Sequence, residues 1–495
     1  MALLMVFFMG IKVNAQKQLT LQKNMHINQS AIIQKKIYDF PGNDSLKMAV
    51  IEISGDDIVI DFNGAVLDGS KNKYSPDAFT GTALRILKSK NVTIKNAVIK
   101  GYKIALFAKN VQNLHIENCD FSYNFRQHLN SNREREDLSD WQSYHHNEQD
   151  EWTRFGAGMY LRNCDSVFIK NNSIQNGQCG LMMTGCNDGL IYNNNFSFNS
   201  GIGIGFYKSS NNRVMNNQLD WNIRGVSDGV YYRGQDAAAI LVYEQSNENI
   251  FAWNSATHSG DGFFLWAGQT TMDSGTGGCN DNLIFQNDFS YAPTNGVEVT
   301  FSRNTIIGNK IFDCAYGVCG GYSYNSLIAA NHFKNNNTGI AIEQGQENNI
   351  ENNYFEKGKT AIRLWETPGR KMEGKYDELR DVSSMKYIIK NNFFDSEQTV
   401  FDISHSEMLS ITGNKILHAI ENMRLDSTVK NIFMRGNGEK INFIPDTFLL
   451  EKNAPQKLPD ARNAMLPADH LQGKKYMMMT EWGPYDFQSP ILWLT

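Results

Sequence analysis

The chain has 495 residues, 12% aromatic and 20% charged, with a formal charge of −5. That is the composition of an ordered protein with enough length for a large core. The mild acidity, with no long run of Lys or Arg, argues against a nucleic-acid or anionic-membrane partner.

In chain order, residues 1–15 come first, the opening of MALLMVFFMGIKVNAQ. An apolar stretch from Ala2 to Ile11 is followed by Val13-Asn14-Ala15, the pattern of a signal peptide cleaved after Ala15. A secreted, periplasmic or cell-surface protein is expected, and no segment is long and apolar enough to span a bilayer. Residues 16–45 are expected to cap the first coil of the repeat that fills 46–420. There the phrase apolar-x-x-Asn-x-apolar places asparagines at 172, 194, 217, 254, 287, 309, 331, 353, 392 and 414, most often 22 residues apart. Asn96 and Asn118 extend the series backwards. Each unit holds short β-branched and aromatic runs punctuated by Gly and Asn, with nothing long enough for a sustained helix. Repeats of this length predict an all-β fold, a single-stranded right-handed parallel β-helix of about 13 coils of ~22 residues. Coils stacked about 4.8 Å apart would turn the repeated asparagine into a buried ladder. Cys164 and Cys186, one period apart, would be stacked thiols. The seven cysteines contain no C-x-x-C pair, so no zinc site is expected.

The repeat period and the asparagine series resemble those of the pectate-lyase-like superfamily, including the NosD-type repeat proteins. The resemblance covers roughly residues 46–420 and implies the fold, which hosts many activities. Gly260-Asp261-Gly262 is only remotely similar to polygalacturonase motifs, and the Asp-Pro-His-Glu of mannuronan epimerases is absent, so neither mechanism carries over.

Four steps of the repeat are too long, and the excess falls near residues 125–155, 222–236, 269–279 and 367–384. Set against one recurring strand (GMYLR, GIGFY, AILVYE, GFFLWA, GVEVTF, GIAIEQ, AIRLWE), the first two insertions precede it and the last two follow it. Loops on both sides make the strand's sheet a groove floor, a common place for function. Alternation sends Ile204, Ile240, Phe263, Val297, Ile340 and Ile362 inward. Glu298 then points out, between two core valines. Tyr207, Tyr243 and Trp266 form an outward column, with Trp365 farther along it.

Flat rings beside carboxylates suit sugars, and glycoside hydrolysis needs two carboxyl groups across the scissile bond. Glu298 is the leading catalytic candidate, with Asp261 or Glu343 as partner. Tyr207, Tyr243, Trp266, His258, Arg363 and Trp365 are candidate substrate contacts, and Glu244 and Glu366 secondary acids. A bland reading makes Glu343 the ion-pair partner of Arg363. The expected function is an exported glycoside hydrolase acting on a poly- or oligosaccharide, with no metal or other cofactor. Two alternatives stand: a polysaccharide lyase or uronan epimerase using Arg162, Lys208, Tyr207 or Arg363, with Ca²⁺ possible; and a non-catalytic carbohydrate-binding or NosD-like periplasmic accessory protein. Residues 421–495 lose the repeat and read as a C-terminal cap or linker, or as the edge of a further domain.

Overall fold

The computed structural model describes residues 18–132, 135–224, 236–370, 374–443, 445–461 and 471–488. The segment expected to be a signal peptide and most of the 222–236 insertion lie outside the described residues.

Successive coils pair in parallel throughout the repeat, as the period requires. Among the described residues a continuous 29-stranded parallel sheet forms two faces, and smaller parallel sheets of three and five strands form the third. The floor strand recurs in register: Ile204, Ile240, Phe263, Val297, Val318, Ile340, Ile362 and Phe401 stack as one inward column. All are at most 1% exposed. β-Branched and aromatic side chains pack well on such a half-buried pleat, and stacking supplies the same neighbour type above and below.

The asparagine ladder runs unbroken from Asn172 through 194, 217, 254, 287, 309, 331, 353, 392 and 414 to Asn437. Each backbone N–H donates to the next coil's Oδ1 at 2.9–3.0 Å, and each Nδ2 donates to the same oxygen at 2.9–3.1 Å. A second ladder links Asn212, Asn249, Asn282 and Asn304. Cys164 and Cys186 are stacked free thiols, the Cys164 N–H pointing at Cys186 Sγ 3.3 Å away.

The backward extension of the ladder is off by one residue. The position preceding Asn172 is Cys119, whose N–H donates to Asn172 Oδ1 at 2.9 Å. Asn96 and Asn118 sit in the adjacent column with Asn171 and Asn193, at φ 54–56. Asparagine tolerates this left-handed conformation better than other side-chain-bearing residues. Two neighbouring columns thus select the same residue for different reasons, which blurs the register.

The outer boundaries also shift. Pairing begins with Leu19 on Ile33 and Met25–Ile27 on Ile51–Ile53, so coils start well before residue 46. It continues past 420, through Glu421–Leu425 and Lys430–Arg435. Beyond this the chain folds back along the coil as a strap. Leu449, Leu450 and Leu458 pack on the column of Tyr192, Met215, Phe285 and Ile307. Farther on, the Tyr476 carbonyl accepts from Trp221 Nε1 at 2.9 Å, and Asp486 Oδ2 accepts from Asn176 Nδ2 at 3.0 Å.

A separate buried turn position carries a carboxyl group that accepts from the preceding coil. Glu397 is 2% exposed; its Oε1 accepts from Gly358 N–H at 2.9 Å, and Oε2 has no hydrogen-bond partner. Burial pushes it up to about 7, the Gly358 bond opposing. Its folded pKa thus exceeds its unfolded one. The stability it permits is complete below about pH 4.5 and is lost as pH rises through about 7. Glu397→Gln is therefore expected to stabilise by up to about 3 kcal/mol at pH 8 and little at pH 4. Urea unfolding at the two pH values checks this, and equal effects at both would contradict it.

Candidate active site

The floor has a closed end and an open end. At the closed end the 125–155 insertion lies over the sheet, with Trp152 edge-on to Tyr207 at 5.5 Å and Trp152 Nε1 donating to the Tyr144 carbonyl at 3.1 Å. Tyr207 donates to Glu148, and Arg162 pairs with Asp150 at 2.7 Å. The outward column is as expected, Tyr207 on Tyr243 on Trp266, but it is not an exposed stripe. Tyr207 and Tyr243 are each 1% exposed and belong to a second apolar core that the insertion completes. Tyr207→Phe is accordingly expected to cost about 1 kcal/mol of stability and to leave the KM for any glycan unchanged, as steady-state kinetics would show.

The open floor begins at Trp266, which is partly exposed, and continues through Glu298, Cys319, Glu343, Arg363, Trp365 and Asp402. Along its far side the two later insertions pack on each other. The helix Gln269–Ser274 and the short helix Tyr376–Leu379 share an apolar cluster with Tyr322 and Trp266. At the opposite side His145 of the first insertion stands 5.1 Å from the Trp266 ring.

Glu298 is partly exposed on this floor, and its environment is acidic. Asn295 Nδ2 donates to Glu298 Oε2 at 2.7 Å and reaches Asp261 Oδ2 at 3.4 Å. One nitrogen serving both holds these two oxygens within about 6 Å of each other. Asp261 is fully buried; its Oδ1 accepts from the Thr294 hydroxyl and from Asn295 N–H at 2.8 Å. A third carboxylate, Asp236, is also fully buried and accepts from Gln142 N–H at 3.0 Å. Burial first, and the charge of Asp261 second, raise Glu298 well above the usual carboxylate range. Burial also raises Asp261, against the hydrogen bonds from Thr294 and Asn295, with repulsion from Asp236 adding to it. The floor therefore presents a carboxyl group whose environment favours its protonated form, one coil on from the strand that carries Trp266.

Other expected site residues divide differently. Asp261 is joined to Glu298 through Asn295 but is fully buried, not open to the groove. Glu343 is on the open floor, yet its ion-pair partner is Arg370 of the last insertion, with Thr367 donating at 2.5 Å; it does not pair with Arg363. Arg363 instead lies 3.9 Å from Asp402 and 4.6 Å over the Trp365 ring. Glu366 accepts from Ser384 N–H at 3.3 Å. Glu244 is buried beneath the helix Gln269–Ser274, accepting from Thr270 N–H at 3.3 Å. His258 leaves the site altogether. It is 1% exposed, stacked on Trp221 at 4.2 Å and held by the Gly473 carbonyl of the strap, and burial pushes it down to about 3. Its turn points to a different face from the floor strand that starts at Asp261. The sequence reading missed Asn295, Asp236 and His145. Only His145, in the His-His pair of an insertion, carried a signal.

Comparison with known proteins places this architecture. Residues 83–276 match the family described as right handed beta helix region, and residues 275–450 match the periplasmic copper-binding protein (NosD) family. Among solved structures, the chain is similar to the A-module of the Azotobacter vinelandii mannuronan C-5 epimerase AlgE6, at 10% identity, 83% of this chain, 91% of that chain and a TM-score of 0.42. It is also similar to the DFA-IIIase from Arthrobacter chlorophenolicus A6 without its lid, at 13% identity, 66% and 81% coverage and a TM-score of 0.38. A third likeness is to the periplasmic alginate epimerase AlgG, at 12% identity, 82% and 85% coverage and a TM-score of 0.35. These likenesses lie in the coil and say nothing of which residues react. No curated protein matches the chain significantly. Copper binding is named for the NosD family; among the described residues here no group of three or more His, Cys, Asp or Glu side chains is placed to hold a metal ion.

Proposed function

From the premise that the chain is a right-handed parallel β-helix of the pectate-lyase-like type, we propose that it is an exported glycoside hydrolase acting on a poly- or oligosaccharide in the groove. The observation that carries this reading is Glu298, a partly exposed carboxyl group that burial and Asp261 raise well above the usual carboxylate range, on an open floor edged by Trp266. A proton-bearing carboxyl is what the leaving-group oxygen of a glycoside requires. Burial and the charge of Asp261 favour that state, and Asn295 fixes the position of both carboxyls. Glu343, in its ion pair with Arg370, is the charged partner that would activate water. Two coil spacings and a two-residue offset put the two Cα atoms roughly 10–12 Å apart, which suits the wide spacing of about 6.5–9.5 Å between the carboxyls of an inverting pair. Export is supported by the apolar segment before Ala15 and by the periplasmic family matched.

The lyase or epimerase reading loses its cations to other work. Arg162 and Lys208 pair with Asp150 and Glu148 at the closed end, and Arg363 lies beside Asp402. The charge of Asp261, which raises Glu298, also disfavours a uronate beside it. The NosD match favours, as a second reading, a non-catalytic NosD-like periplasmic accessory protein. A panel of neutral and acidic glycans, assayed for released reducing ends and for the ultraviolet absorbance of unsaturated uronides, separates the three. Reducing ends without absorbance, reduced about 100-fold or more in Glu343→Gln, are expected. Absorbance would make it a lyase, and binding with no product from any glycan an accessory protein.

A further inference from the structure

Away from the groove, a cavity of about 680 Å³ opens between the loop at 70–80, the turn at Tyr123 and the end of the C-terminal strap. Rings from three separate stretches of chain face it: Tyr74 and Phe79, Tyr123, and Trp482 with Tyr485. The hairpin Met479–Thr480 with Gly483–Pro484 carries Trp482 and is fixed to the first insertion. Leu129 N–H donates to the Glu481 carbonyl at 2.7 Å, and His128 meets the Trp482 ring edge-on at 4.8 Å.

Tyr123 belongs to a left-handed turn column that also holds Phe198, Trp221, His258 and Tyr291, at φ between 54 and 72. The strap covers those four rings, each 8% exposed or less, whereas Tyr123 is 52% exposed and Tyr74 91%. Rings left open around one concavity mark a binding surface, and the volume falls in the range of small-ligand sites. Three cations, Lys73, Lys100 and Arg126, stand at the cavity against two carboxylates, Asp68 and Asp486, but each cation is already held by a protein oxygen. Lys73 and Lys100 share Asp68, and Asn176 bonds both Arg126, at 3.2 Å, and Asp486, at 3.0 Å. Cations committed in this way to Asp68, Asn176 and the Phe198 carbonyl leave the cavity poorly suited to a phosphate or nucleotide. Flat rings with amide, hydroxyl and ammonium groups at their edges suit the C–H faces and hydroxyls of a sugar.

We propose that this cavity is a second saccharide-binding site, taking one or two residues of a glycan chain whose scissile bond lies elsewhere, in the groove. The proposal rests on the carbohydrate reading of the groove, but not on Glu298 being catalytic. The first insertion links the two places: it begins at the cavity with Arg126 and reaches the closed end of the floor with Trp152. Such a site would hold polymer near the groove and leave turnover of short substrates untouched.

Affinity electrophoresis of the full chain in gels containing xylan, a β-glucan, a galactan, inulin or pectin tests it. The proteins are wild type, Glu298→Gln and Tyr74→Ala/Tyr123→Ala, the last removing two exposed rings without opening the core. Retardation by at least one polysaccharide is expected to persist in Glu298→Gln. In the double variant the dissociation constant should rise about fivefold or more, with release of reducing ends from short soluble oligosaccharides within twofold of wild type. The proposal is overturned if the double variant migrates like the wild type in every gel that retards Glu298→Gln, or if no gel retards the wild type. Failure of the hydrolase reading shows separately, as absence of product, and leaves the retardation result standing.

Discussion

Glu298→Gln is expected to lower kcat on the glycan identified in the panel by about 10³-fold or more, with KM little changed, because general acid assistance is worth about 10²–10⁴-fold. The amide keeps the size of the side chain but has no proton to give the leaving group. Loss of fold would mimic this result, and pH separates the two. Glu298 titrates well above the usual carboxylate range in the folded chain, burial being the first cause and Asp261 the second. Folding therefore favours its protonated form. That contribution is complete below the unfolded value of about 4.3 and is lost as pH rises through the folded value. Glu298→Gln removes the loss, so its unfolding midpoint at pH 8 should equal or exceed that of the wild type. The same titration sets the alkaline limb of the rate profile, since activity needs the protonated form.

Asp261→Asn sharpens the argument. The new Oδ1 still accepts from Asn295 N–H and the Thr294 hydroxyl, the bonds that fix residue 261. What disappears is a negative charge beside Glu298. Glu298 then ionises more readily, and the alkaline limb of kcat moves to lower pH while the rate on its acid side is retained. A limb that stays in place, or moves upward, would mean that Asp261 does not hold the proton on Glu298.

The groove floor was readable from residue types because periodicity is a repeated measurement. Alternation in one strand says little, but eight inward positions in register leave Glu298 no direction except outward. Burial by non-repeating chain could not be read in this way. Tyr207 and Tyr243 have the spacing of an open stripe, and only the path of the first insertion, with Trp152 over Tyr207, makes them core. His258 looked close to Asp261 in sequence, but its partner is Gly473, 215 residues on. Asp261 appeared to be a reactant because nothing local announced that Thr294 and Asn295 would enclose it. Asn96 and Asn118 misled for a different reason: the ladder column and the left-handed column beside it both favour asparagine.

Asn287→Ala should be among the most destabilising single changes in the coil, costing about 3–5 kcal/mol. Asn287 Oδ1 accepts from both the N–H and the Nδ2 of Asn254, at 2.9 and 3.0 Å. Its Nδ2 donates to the Phe251 carbonyl at 2.9 Å and to Asn309 Oδ1 at 3.0 Å. Alanine therefore strands the Asn254 N–H, leaves Asn254 Nδ2 with only the Val214 carbonyl, and takes a donor from the Phe251 carbonyl and from Asn309 Oδ1, all in a dry interior where each unmade bond costs far more than a made bond contributes. Aspartate would keep the acceptor for Asn254 but set a carboxylate against the Phe251 carbonyl and Asn309 Oδ1, so Asn287→Asp should be at least as damaging. Position along the ladder supplies the control. Asn437 ends the described series, is partly exposed and accepts from Asn414 alone, so Asn437→Ala should cost about 1–2 kcal/mol. Asn118→Ala, in the outward left-handed column, should cost the backbone strain and one exposed bond from Asn171 Nδ2, together about 1 kcal/mol. Urea unfolding followed by circular dichroism ranks the four variants. If Asn287→Ala proves no worse than Asn437→Ala, the ladder is a passive consequence of stacking, and the inward columns of Ile, Val and Phe alone hold the coils together.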